Sequence, residues 1–179
     1  HVDRGASRIL KDTINKYREA AAFLNHVVVD HYEELESIDS VTKQSFIEHL
    51  VHKTKKNLNP LYPEFDIVFY KYPSYMRRAA INESIGHVSS YVSNLKNYHE
   101  KRNIEIARGH HYKKMEPRFS YTPNSCPTLY KDNAYTIDSD TNAVTIKAYF
   151  DHDWKWLTVS IPDRDAKSLR NAMSKGIVM

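Results

Sequence analysis

The sequence predicts an α+β fold: an N-terminal helical bundle followed by a small antiparallel β-sheet or partial barrel. Three observations carry this. Through the first half of the chain, apolar residues recur at steps of three and four. From Phe119 onward they fall into short β-branched or aromatic runs separated by turn residues. Only four glycines among 179 residues leave regular structure dominant.

The elements follow in order. Ile9, Leu10, Ile14, Tyr17, Ala21, Leu24, Val28, Tyr32 and Leu35 form one apolar stripe, ending at Ser37-Ile-Asp-Ser40. Ser40 is the expected N-cap of a second helix, striped by Phe46, Ile47, Leu50, Val51, Thr54 and Leu58 and stopped at Asn59-Pro60. Pro60, Pro63 and Pro73 break the connector, where Phe65 to Tyr70 reads as a short helix or an extended piece. Ser74 caps a third helix running to about Asn103, with Met76, Ala80, Ile81, Ile85, Val88, Val92 and Leu95 on its apolar face.

Expected strands lie around Phe119-Ser-Tyr121, Pro127 to Lys131, Ala134 to Asp138, Ala143 to Tyr149 and Trp154 to Ile161. Turns are expected at Lys131-Asp-Asn133, Ser139 to Asn142 and Asp151-His-Asp153. Trp154 and Trp156 share one strand face, with Leu157 and Val159 on the other. Asp163 to Met173 returns to a helical pattern. The organisation is a helical domain over 1–104, a basic linker over 105–118 and a β domain over 119–179. Ile177-Val-Met179 reads as a strand about to begin, so the chain is expected to be a fragment truncated at its C-terminus.

Charge is unevenly placed. Lys71 to Arg118 holds ten Lys or Arg against four Asp or Glu, whereas residues 1–70 hold nine against eleven and 119–179 seven of each. A basic middle interleaved with tyrosines suits a phosphate backbone with bases stacking nearby. Arg77 and Arg78 lie on the first turns of a helix, against the macrodipole, so an anion should compensate them. That anion is an external phosphate or a surface carboxylate, with Glu34, Glu36 or Glu83 as the candidates. Lys96, Lys101 and Arg102 sit towards the C-terminus of the same helix. Arg108, Tyr112, Lys113, Lys114 and Arg118 lie in the linker, and Tyr72 and Tyr75 are among the tyrosines placed to stack.

Other chemistry finds less support. Ten histidines include the pairs His26/His31 and His49/His52, but no His-Glu-x-x-His and no Cys-x-x-Cys occurs. Solvated or hydrogen-bonded histidines are the expectation, with no metal site. Cys126 stands alone without a nucleophile signature, which also fits a reducing, cytoplasmic setting. Asp132, Asp138, Asp140, Asp151 and Asp153 are read as turn residues rather than a magnesium site. No run of 18 apolar residues and no signal peptide are present.

Two stretches resemble the N-terminal region of the insertion-sequence TnpB (OrfB) transposases. One is Tyr72-Pro-Ser-Tyr-Met-Arg-Arg-Ala-Ala-Ile-Asn82 with Ile85-Gly-His-Val-Ser-Ser-Tyr91. The other is Pro127-Thr-Leu-Tyr130 with Val144-Thr-Ile-Lys-Ala148 and Trp154-Lys-Trp-Leu-Thr-Val159. The resemblance implies a transposon-encoded, RNA-guided DNA endonuclease of bacterial cytoplasm, related to the type V CRISPR effectors. In that family the N-terminal half is a helical recognition lobe and a wedge-like β-barrel. Together they grip guide RNA and the guide–target DNA duplex. The RuvC-type carboxylates with magnesium, and a zinc ribbon, belong to a downstream nuclease domain. This segment is therefore expected to hold no cofactor and no catalytic residue. Its expected partners are guide RNA, target DNA and that nuclease domain. The family's first barrel strand, ahead of the helices, has no counterpart here. The alternative is a structural or protein-interaction fragment without nucleic-acid contact.

Overall fold

A computed structural model describes residues 4–138 and 141–174. The order is α1 (Arg4–Asp30), α2 (Tyr32–Ser37), α3 (Ser40–Val51), α4 (Glu64–Val68), α5 (Ser74–Ala107), β1 (Tyr135–Asp138), β2 (Ala143–Phe150), β3 (Asp153–Ser160) and α6 (Asp163–Ser174). The class is α+β. The three strands form one antiparallel sheet in the order β1-β2-β3. The expected strand at Ile177-Val-Met179 and the turn residues Ser139 and Asp140 lie outside the described residues.

The predicted first stripe becomes two helices. Tyr17, Ala20, Ala21, Leu24, Val27 and Val28 are buried on α1 and Leu35 on α2. The break at His31 is slight: its N–H still reaches the Val27 carbonyl (3.2 Å), and the Leu35 N–H reaches the His31 carbonyl (3.0 Å). Helix α3 ends at Val51, not at Leu58. The Lys53 N–H and the His52 ring turn to the Asp66 carboxylate, each at 2.8 Å. Asn57 Nδ2 donates to the terminal His49 carbonyl. Asp66 thus takes the N–H that a longer helix would give to the His49 carbonyl, Asn57 supplies the donor that carbonyl needs, and Leu58 is left exposed. Asp39 and Pro73, rather than Ser40 and Ser74, stand at the caps of α3 and α5, a shift of one residue each.

The main core lies between α1, α3, α4 and the first half of α5. An aromatic chain runs through it: Phe65 to Phe69 (4.9 Å), Phe69 to Tyr72 (5.8 Å) and Tyr72 to Trp154 (5.3 Å). Trp154 thus carries the sheet into the helical core, and Thr13 Oγ1 on α1 accepts the Tyr149 N–H of β2 at 2.9 Å. On the sheet's other face Val144 and Val159 form a second cluster with Ala6, Leu157 and Leu169. The two tryptophans of one strand face therefore part company: Trp154 is buried and Trp156 exposed, with Lys147 over its ring. The positive φ of Asp151 and His152 gives β2–β3 its tight reversal.

Residues 119–131 form no strand beyond a single bridge at Lys131. They make an extended strap held by side chains of α1. Arg18 Nε donates to the Ser125 carbonyl (2.8 Å) and Asn25 Nδ2 to the Tyr121 carbonyl (2.8 Å), while His26 stacks on Tyr121 at 4.0 Å. Pro117, Pro123 and Pro127 lack the N–H a ladder requires, which is why the aromatic runs here do not pair.

Candidate nucleic-acid interface

The predicted basic residues divide between the two ends of α5. At its start the structure corrects the assignment of Tyr72 and gives Arg77 an internal partner. Tyr72 is buried among Phe65, Phe69 and Trp154 and presents no face to a base. Arg77 is only 5% exposed, and its Nε and Nη2 donate to Glu48 Oε1 at 3.1 and 2.7 Å. Arg78 is exposed, and its Nε donates to Glu48 Oε2 at 3.2 Å. The compensating anion is thus an internal carboxylate from α3, and Glu34, Glu36 and Glu83 are not its source. Burial pushes the Glu48 carboxyl up. The hydrogen bonds and charge of Arg77, then of Arg78, outweigh that and hold it below the usual glutamate value. Tyr75 is half-buried, and burial pushes its hydroxyl up to about 12.

The far end of α5 is different. Its deeply buried residues stop at Val88, and from Lys96 to Ala107 most positions are exposed. Gly109, at φ 76°, reverses the chain, with its N–H on the Ile106 carbonyl and the His110 N–H on the Glu105 carbonyl. The following loop runs back along the helix. Tyr112 packs edge-on against Tyr98 at 5.3 Å, and Phe119 packs against Tyr91 at 5.2 Å.

Two adjoining grooves of about 390 and 320 Å³ form between helix and loop, and Lys101, Tyr112 and Lys114 line both. Lys113 and His111 line the first, Asn94 and Asn97 the second. Lys96, Arg102, Arg108 and Arg118 are exposed on the same helix end and loop without lining either groove. Arg108 pairs with Glu105 at 3.4 Å. Among the described residues Lys96, Lys101, Arg102, Lys113, Lys114 and Arg118 meet no carboxylate within ion-pair distance. Asn94, Asn97 and His111 were not among the predicted site residues. Asn94 and Asn97 are three apart on one helix face, but only the returning loop makes them part of a groove.

Elsewhere three histidines are engaged locally: His31 with Glu34 and Tyr62, His52 with Asp66, and His110 with Glu105. Among the described residues no three His, Cys, Asp or Glu come together as a metal site. No described helix is long and apolar enough to cross a membrane.

The fold and this groove define an α+β protein whose longest helix carries a cationic, tyrosine-lined end. The chain belongs to the Aq_aa04 family, whose model matches residues 2–150. It is similar to the uncharacterized protein aq_aa04 of Aquifex aeolicus (strain VF5), 40% identical over 85 residues. That match covers 48% of this chain and 45% of the relative, so it spans less than half the relative's length. No solved structure matches.

Proposed function

We propose that the chain binds nucleic acid along the C-terminal end of α5 and its returning loop. In this reading it is the gripping, non-catalytic part of a TnpB-like, transposon-encoded RNA-guided endonuclease. The observation that carries the binding is the cluster of cations without carboxylate partners around the grooves shared by Lys101, Tyr112 and Lys114. Cations held on a helix end without internal partners gain most from releasing the counterions of a phosphate backbone. Tyr112 and the amides of Asn94 and Asn97 add stacking and hydrogen-bonding groups suited to a ribose or an unpaired base. The guide RNA and the guide–target DNA duplex as ligands rest on the TnpB-like motifs, with base pairing carrying the sequence information.

Binding to structured RNA, RNA–DNA hybrid and duplex DNA across a salt series tests this. Neutralising about four phosphates gives a slope near −4 in log Kobs against log salt. The double variant Lys113→Ala/Lys114→Ala should lower that slope by about two. Binding that ignores salt, or is unchanged in the variant, would refute the reading. A protein-interaction role is favoured by one feature, the exposed apolar residues Leu58, Leu61, Ile67, Val68 and Tyr70 around α4. Loss of nucleic-acid binding with retained self-association or partner capture would then move the assignment there.

A further inference from the structure

The other end of α5 holds a further polar cavity, of about 300 Å³, between α3 and the first turns of α5. Ser45, His49 and His52 line it from α3 and its end, and Arg77 and Arg78 from α5. Its one carboxylate, Glu48, has both oxygens engaged by the two guanidinium groups. What remains is rich in donors. Nη1 of Arg77, both Nη atoms of Arg78, the Ser45 hydroxyl and the His49 ring make no hydrogen bond among the described residues. The His52 ring is held by Asp66, with Nδ1 at 2.8 and 3.1 Å from its two oxygens, and its Nε2 makes no bond among the described residues.

We propose that this cavity binds a phosphate group, either free or as a phosphomonoester such as the end of a nucleic-acid strand. The charge is right: among the lining residues two guanidiniums stand against one carboxylate, and the Asp66 carboxylate behind His52 is taken up by that ring and the Lys53 N–H. The geometry is right as well. A tetrahedral anion with several acceptor oxygens accepts from a guanidinium fork, a hydroxyl and an imidazole approaching from different directions. A planar carboxylate would satisfy fewer of these donors. With its Nδ1–H turned to Asp66, His52 offers Nε2 as an acceptor for a P–OH group of the ligand. Arg77, fixed by Glu48, is the rigid wall, and Arg78, with more than half its side chain exposed, is the arm that closes on the ligand. This site stands independently of the nucleic-acid reading of the far end of α5.

The test is a titration of the intact chain with inorganic phosphate at constant ionic strength, following the His49 and His52 ring resonances by NMR. Both should shift and saturate. A 5′-phosphorylated dinucleotide should compete better than its unphosphorylated counterpart if the physiological ligand is a strand end, and no better than phosphate if it is the free ion. Arg78→Ala should weaken phosphate by about tenfold, the effect of losing a charge-assisted fork. Ser45→Ala, a smaller change at an exposed position, should weaken it less and checks the result if Arg78→Ala perturbs the fold. Lys113→Ala/Lys114→Ala should leave it unchanged. Shifts that fail to saturate would overturn the proposal. So would equal shifts with chloride, or phosphate binding lost in the Lys113/Lys114 variant rather than in Arg78→Ala.

Discussion

Arg77 and Glu48 show how far a single residue's role depends on what a distant helix brings to it. The charge pattern correctly marked Arg77 as needing an anion, but its partner lies 29 positions earlier, on α3. No local spacing shows that pairing, so the residue type was legible and its role was not. Removing Arg77 leaves a half-buried carboxylate with only the more exposed Arg78 beside it. Arg77→Ala should therefore cost about 2–4 kcal/mol in urea unfolding. Protonation follows a definite sign. The Glu48 pKa is lower folded than unfolded. Its contribution is therefore complete above the unfolded value of about 4.3 and is lost as pH falls through the folded value. A Glu48→Gln chain should show a flatter fall of urea midpoint below about pH 4.3 than the parent. Tyr72 illustrates the opposite case. Its hydroxyl is buried without a partner among the described residues, and burial pushes its pKa up. Tyr72→Phe should leave stability equal or raise it by up to about 1 kcal/mol, and should not alter nucleic-acid affinity. A weakened affinity would return this residue to the interface.

At the scale of elements, long periodic helices were readable and their terminations less so. The apolar spacing of α1 and α5 marks both, because one buried face needs residues at three- and four-residue steps. The end of α3 was missed because Asp66 draws the Lys53 N–H away and Asn57, not a helix-stop residue, donates to the His49 carbonyl left behind. The strap was missed for a related reason. Its aromatic runs have strand composition, yet its carbonyls are claimed by Arg18 and Asn25, about a hundred positions away. Arg18→Ala should release part of it at a cost of about 1–2 kcal/mol. Hydrogen exchange around residues 119–126 should then quicken while α1 itself stays protected. Unchanged protection of the strap would mean that the stacking of His26 on Tyr121 and the packing of Phe119 on Tyr91 hold it alone.

Across the whole molecule the helices and the sheet are joined by shared packing. Trp154 belongs to β3 in sequence and to the helical core in space. Trp154→Ala should cost about 3 kcal/mol, and it should lower the helical and sheet transitions together. Trp156 fluorescence and far-UV circular dichroism would then report coincident midpoints, whereas separate midpoints would mean two independently folding units. The global arrangement of charge was legible from the order of charged residues along the chain. Its division between the two ends of α5 was not, because that depends on which cations the core consumes.

Helix α5 runs unbroken from Ser74 to Ala107. Lys101 stands 23 residues beyond Arg78 on it, a span of about 35 Å. That span is close to one full turn of a B-form DNA duplex. If both proposed sites are filled, the helix acts as a ruler as well as a scaffold: a strand end seated at one mark would place the backbone one turn further on beneath the other. Oligonucleotides shorter than about ten base pairs reach a single mark, and affinity should step upward once the second comes within reach.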